Sequence, residues 1–388
     1  MSIARGTSLL HIQQATLATS IGDDLLTSVS AFASRRKHFR HVEIEGQKVV
    51  TAPARDIVGT LRGESRLLAL LMAAWTPMAQ QLRSLAAAPS VYLLALPEWV
   101  KQVDRGASAK DDLDTPLKRI VQAFNGHCHA LKLEPQPVHA FTGGAETCHA
   151  ALEHAWRLLA RDQAPQRVIV LAADSLCDPD VLLAAYRTGR IYGRDQSSGW
   201  VPGEAAACVL MTPAADIRHL PEGRFALHAP CVSEVPERTP RRPSDAQGDG
   251  LLLHQAMSGA LTLAAMRPQH LSHHVSDGDG SAWRLEDEDA ATSRLTVRPG
   301  ERWTCSPLQP AELLGQLGAA SSAVHWALAS GLHQADLSVI NSALCSAQDI
   351  SGRCSANVME RSPYTAGSGK DTRDDAREDT QEAPKGRE

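Results

Sequence analysis

A nucleophilic site needs a reactive side chain at a position that lowers its pKa, and residues 141–175 build such a position. The stretch FTGGAETCHAALEHAWRLLARDQAPQRVIVLAADS reads as a turn, a helix and a buried strand ending in Asp174 and Ser175. Gly143 and Gly144 permit a sharp reversal. From Ala145 the apolar residues Cys148, Ala151, Leu152, Ala155, Leu158 and Leu159 recur at helical spacing. Unpaired N–H groups and the positive end of the helix meet at that junction, where a thiolate would be activated. The junction holds Ala145, which has no nucleophile. Cys148 is the rescue candidate, with His149 beside it. It lies one turn into the helix on the apolar stripe, and adjacent helix residues point about 100° apart. The pair therefore reads as a buried thiol and a misplaced base.

Other groups could do chemistry, each with a plainer reading. Glu146 could serve as an acid or base, but a carboxylate at a helix start is favourable without any reaction. His127, Cys128 and His129 at a helix end would point in different directions, with no fourth ligand evident. His273 and His274 end a strand, where alternate residues face opposite sides. The loop Asp277-Gly278-Asp279-Gly280-Ser281 offers carboxylates to a cation, yet its composition is that of a turn. The acidic run Glu286–Asp289 reads as a solvated face. No metal and no cofactor are expected.

The elements that must position these residues alternate. A strand over 8–19 and a short helix Asp23–Arg35 precede a hairpin at His41–Thr51. Helix Ser65–Ala87, strand Val91–Leu96 and helix Asp111–Leu131 lead to the central helix and to Val168–Ala173, a continuous apolar run suited to a strand covered on both faces. A helical piece (Pro179–Thr188) and the strand Ala205–Met211 close residues 1–213 as a first half. A second half, 214–360, repeats the logic without sequence identity to the first. It has a strand Phe225–Val232, a helix Leu251–Met266, a strand His270–Val275, a helix Pro310–Leu332, and strands near Leu337–Asn341 and Ser355–Glu360. Alternating strands and helices imply a mostly parallel sheet. Residues 361–388 have almost no large apolar side chains and are expected to be a disordered tail.

Composition narrows the function. At 388 residues the chain can bury a large core, and its net charge of -5 argues against a dedicated nucleic-acid or anionic-membrane surface. Aromatics at 4% are too few for a base-stacking platform. The longest apolar run, Leu67–Trp75, is far short of the roughly 20 residues that span a bilayer. The N-terminal residues have no apolar signal core. Eight cysteines without a CxxC read as reduced thiols, so the expected location is the cytoplasm.

Ala172–Met211 contains Asp-Pro at 178–179 and Gly199-Trp200-Val201-Pro202-Gly203-Glu204. Leu314–Ala329 is rich in glycine and alanine. With these segments in this order, the chain resembles the thiolase superfamily in its β-ketoacyl-acyl-carrier-protein synthase branch, over roughly residues 6–360. The resemblance implies a five-layer αβαβα fold of two related halves, and a dimer. It also implies catalytic positions, and these are degenerate. Ala145 stands for the nucleophilic cysteine and Asp277 for the first histidine. Pro310 and Gly315 stand for the lysine and second histidine, with Gln316 in place of Gly315 if the register slips by one. The family's glycine-rich C-terminal loop matches Asn341–Ser346, which has no glycine. An aspartate at a donor position would add like charge beside a developing oxyanion.

The resemblance therefore implies a scaffold stripped of its reactive groups. Two roles follow. One is an interaction protein, similar to the degenerate thiolase-like proteins of type VI secretion clusters, with an effector adaptor, a spike-tip (PAAR) protein or a toxin as partner. The other lies in acyl-chain metabolism: an inactive partner of a ketosynthase or acyl carrier protein, or an acyltransferase of 3-oxoacyl synthase type with a displaced nucleophile. Chain-length factors, which play the inactive-partner role, usually carry glutamine at the nucleophile position, where this chain has Ala145.

Overall fold

The computed structural model describes residues 9–101, 115–193, 196–233, 250–298, 301–303, 305–349 and 351–363. The expected tail lies outside them except for its first three residues. The chain runs β1 (Leu9–Thr19), α1 (Leu25–Ala33), β2 (Arg40–Ile44), β3 (Gln47–Thr51), α2 (Arg55–Val58), α3 (Gly63–Ser84), β4 (Ser90–Pro97), α4 (Pro116–Ala130) and β5 (Val138–Gly143). It continues through α5 (Thr147–Leu159), β6 (Arg167–Ser175), α6 (Pro179–Arg187), β7 (Glu204–Ala214), β8 (Phe225–Leu227), β9 (Cys231–Ser233), α7 (Leu251–Leu263), β10 (His273–Ser276) and α8 (Ala282–Ser293). The last elements are β11 (Thr296–Arg298), β12 (Glu301–Arg302), β13 (Ser306–Leu308), α9 (Ala311–Leu314), α10 (Ser321–Gln334), β14 (Ser342–Gln348) and β15 (Cys354–Arg361).

Two sets of five strands share one topology. The first is ordered β5-β4-β6-β7-β1, with β4 parallel to β5 and β6 and the remaining pairs antiparallel. The second is β13-β10-β14-β15-β8, with β10 parallel to β13 and β14 and the remaining pairs antiparallel. Counted from its own first strand, each set reads third, second, fourth, fifth, first. The sets join where Leu10 and His11 of β1 pair with Leu227 and Ala226 of β8.

Side-chain alternation along each strand sorts the sheet into two apolar faces. Tyr92, Leu94, Ile169, Leu171, Cys208 and Leu210 pack outward against α3 and α4. Their neighbours Leu93, Val168, Val170 and Val209 face inward, onto α5 and α10. In the second set, Ala343 and Cys345 face the same central helices, while Leu344, Ala356 and Val358 pack with α7. The result is five layers, αβαβα. Helix α10 is buried on every side from Ser321 to Leu332, as a helix between two sheets must be. All eight cysteines are free, six of them buried. No helix among the described residues is long and apolar enough to cross a membrane.

Several local expectations change. The helix expected over 310–332 is two helices, because Gly315 (φ +71) and Gly318 (φ +50) take left-handed conformations between α9 and α10. The strand expected near 337–341 lies at 342–348, and the one expected over 225–232 is split into β8 and β9. The acidic run Glu286–Asp289 is part of α8, and it is not merely a solvated face. Asp287 is buried, accepting from Gly250 N (3.2 Å) and from the Gln348 side chain, and Glu288 accepts from Ser276 Oγ at 3.2 Å.

Candidate functional site

A cavity of about 1100 Å³ opens at the head of α5. Its floor is the turn Gly143–Glu146, and Ala145 lines it. The turn is fixed by Thr147 Oγ1, which donates to Gly144 O at 2.6 Å, and by Asp349, packed so closely on Gly144 that a Cβ there would collide with its Oδ1. The position that could activate a nucleophile therefore exists, and it carries a methyl group.

Cys148 does not reach this cavity wall. It is fully buried, its thiol donates to Ala319 O at 3.1 Å, and burial pushes its pKa up to about 12. His149 turns to another side. Its Nδ1 meets Ser355 Oγ at 2.7 Å and its Nε2 meets Asn357 Oδ1 at 2.8 Å, and burial lowers its pKa to about 4. The two side chains are not a nucleophile and base pair.

The other candidates scatter. Asp277 sits behind the wall and forms a buried ion pair with Arg284, which does line the cavity; Arg284 Nε also lies 3.2 Å from Asp279 Oδ2. These carboxylates face a guanidinium of their own chain. Pro310 starts α9, and Gly315 ends it with its N–H donating to Ala311 O at 2.9 Å. Gln316 lines the cavity, accepting from Leu317 N at 2.8 Å and reaching Asp279 Oδ2 at 3.4 Å. The stretch compared with a glycine-rich loop, Asn341–Ser346, runs into buried strand β14. The segment at the cavity is the next one, with Asp349, Ser351 and Arg353.

His127, Cys128 and His129 diverge at the end of α4: Cys128 is buried, His127 half-buried and His129 exposed. His274 points inward to Ser346 Oγ at 2.9 Å and to Glu288, while His273 bonds Ser272 Oγ at 3.0 Å. Among the described residues no three His, Cys, Asp or Glu side chains are grouped as a metal ligand set.

The segment 199–204 explains itself structurally. Gly203 N donates to Gln316 O at 2.9 Å and Gln316 N donates to Val201 O at 2.7 Å, so this loop holds the 314–318 turn. A Cβ on Gly203 would collide with Leu314 O. Glu204 is fully buried, yet four donors answer it: Arg66 Nε and Nη2 at 2.8 Å each, Ser175 Oγ at 2.6 Å and Ala54 N at 2.6 Å. A buried carboxylate survives only with such compensation.

Two carboxyls at the cavity are held well above their ordinary range. Burial raises Asp174 to about 7, although Ser175 N and Ala319 N both donate to it. Burial and the neighbouring Asp349 raise Glu146 to about 7, with Arg353 at 3.6 Å opposing the shift. Sequence reasoning missed Asp349, Arg353, Arg190 and Arg284. Each reaches the cavity from a loop or helix away from the 143–146 turn, and no motif singles out the arginine or aspartate itself.

Neither a protein-family model nor a curated protein matches the sequence. Solved structures do match by shape. One is a type II polyketide synthase acyl-carrier protein in complex with its ketosynthase bound to the hexaketide (TM-score 0.69, 14% identity, covering 92% of this chain and 99% of that one). A second is a ketosynthase in complex with its chain length factor from Xenorhabdus doucetiae (TM-score 0.67, 14% identity, covering 91% and 98%). A third is the ishigamide ketosynthase/chain length factor (TM-score 0.62, 16% identity, covering 92% and 99%). The five layers, the repeated strand order and these likenesses together give this chain the thiolase-like fold of ketosynthases and chain length factors.

Proposed function

We propose that this chain is a non-catalytic ketosynthase-fold protein of the cytoplasm, built of two halves that divide near residue 213, and that it acts by binding a ketosynthase or an acyl carrier protein. One observation carries the reading: the head of α5 presents Ala145 to the cavity while Cys148 is sealed behind it against Ala319 O. Decarboxylative condensation needs a thiolate, and donors for the oxyanion. Around Ala145 the cavity offers the carboxyls of Glu146 and Asp349 instead. The partner class is supported by the solved relatives, which are ketosynthases in complex with an acyl-carrier protein or a chain length factor. Strand β5 ends the sheet path with every residue half-buried, an edge on which a second chain can seat.

The test is a tagged pull-down from the native host at endogenous level, with partners identified by mass spectrometry. Recovery of a ketosynthase or acyl carrier protein supports the reading. Recovery of an effector adaptor, spike-tip protein or toxin replaces it with a type VI secretion accessory role. In parallel, the protein is incubated with acyl thioesters and its intact mass measured. An acyl adduct on Cys148 would overturn the non-catalytic assignment.

A further inference from the structure

The cavity at the head of α5 has an electrostatic character of its own. Among the described residues that line it, seven side chains are acidic and four basic. Most of the acids already have donors. Glu64 pairs with Arg119, Asp174 accepts two backbone N–H groups, and Asp178 accepts from Gly63 N and Asp180 N. Arg284 is taken up by Asp277 and Asp279.

Glu146 is different, and beside it Asp349 is answered at one oxygen, with Arg190 and Arg284 in electrostatic reach. Glu146 is 4% exposed, and its Oε2 is buried with no hydrogen-bond partner among the described residues. Arg353 forms an ion pair with the other oxygen at 3.6 Å, longer than a hydrogen bond. Asp349 spends Oδ2 on Ser351, while its Oδ1 lies against Gly144. Two carboxyls that share a site repel unless a proton or a cation lies between them. Two indoles, Trp99 and Trp200, line the same space. Carboxylates combined with aromatic faces are how proteins hold organic cations.

We propose that this cavity binds an organic ammonium ion, with its charged head at Glu146 and Asp349 beside Ala145 and its apolar part along the tryptophan-lined wall. The proposal rests on the non-catalytic reading in one respect only, that Ala145 leaves the floor without a nucleophile. A free alkylamine and the lysine side chain of a partner protein present the same chemistry. Anionic ligands, including a phosphorylated pantetheine arm, are disfavoured by the same charges.

The experiment is calorimetric titration of the full chain with n-octylammonium chloride, sodium octanoate and pantetheine 4′-phosphate, on the native protein and on Glu146→Gln and Asp349→Asn. Each substitution keeps the shape of the side chain it replaces, and thermal melts check that both variants are folded. The expected result is one octylammonium bound per chain, about tenfold more weakly in each variant, and no heat from either anion. Octylammonium that fails to bind, or binds equally to all three proteins, overturns the proposal. Octanoate or the phosphate binding as tightly as octylammonium does the same. A capped Gly-Gly-Lys-Gly-Gly peptide separates the two sources: tighter binding than octylammonium assigns the site to a partner's lysine, weaker binding to a free amine. Equal binding of the Nε-acetylated peptide counts against both. None of these readings depends on the pull-down or the acyl-mass experiment, so this inference and the proposed function can fail separately.

Discussion

Cys148 and Ala145 differ by three positions and by everything that makes a thiol reactive. Cys148 faces the packed centre, where burial holds its pKa at about 12 and leaves almost no thiolate at neutral pH. Iodoacetamide at pH 8 should therefore leave it unmodified, as read by peptide mass spectrometry. An Ala145→Cys variant, opening on the cavity, should be alkylated about a hundredfold faster or more. The same variant is expected to show no condensation activity, because Asp277 is locked on Arg284 and Gln316 is no imidazole. Cys148→Ala should lower stability by about 1 kcal/mol and leave partner capture unchanged.

The elements are held to one another by a few close contacts. Arg66 on α3 meets Glu204 at the start of β7, and both are buried. Arg66→Met leaves that carboxylate without a counterion, held by Ser175 Oγ and Ala54 N alone, and is expected to cost about 3–5 kcal/mol, measured by urea unfolding. Gly318→Ala places a methyl group against Asp174 Oδ2 in a left-handed backbone and should destabilise by about 1–3 kcal/mol. At this scale much was legible in the sequence. The Val168–Ala173 run and the stripe from Cys148 to Leu159 are strongly periodic, and they are β6 and α5. Helix α8 was not legible, because the charged sequence EDED resembles a solvated face. It becomes a packed helix only when Gly250 N, Gln348 and Ser276 arrive to satisfy Asp287 and Glu288. The break between α9 and α10 was hidden too, since Gly315 and Gly318 are unremarkable until the 201–203 loop and Asp174 close on them.

The whole molecule carries two opposed sets of buried titrating groups. Burial lowers His149 and His274 to about 4 and His325 to about 3. Their folded-state values lie below the unfolded value of about 6.5, so their stabilisation is present above pH ~6.5 and is lost as the pH falls toward 4. Glu146, Asp174 and Glu288 are raised to about 7. They contribute stability below the unfolded carboxyl value of about 4, and it is lost as the pH rises through 7. Between pH ~4.5 and ~6.5 the two sets oppose each other, so stability should be nearly level there and fall as the pH rises past ~6.5, as read by urea unfolding across pH 5 to 8. Glu146→Gln should gain on the native protein as the pH rises through that range. His149→Gln should gain on the native protein as the pH falls from ~6.5 toward 5.

The sequence by itself determined the alternation of strands and helices in outline, the buried central helix, the alanine at its head and the likeness to the ketosynthase branch. The elements follow from local periodicity and residue types, and the likeness rests on the resemblance of segments 172–211 and 314–329 to that branch. Only the tertiary structure decided what stands around that alanine. Gln316, not Gly315, reaches the cavity, Asp277 turns to Arg284, and Asp349 and Arg353 enter from the loop after β14. A cavity wall is assembled from segments as much as 290 residues apart, Gly63 and Arg353 among them. Which side chains meet there depends on the closing of loops, and no local propensity encodes that.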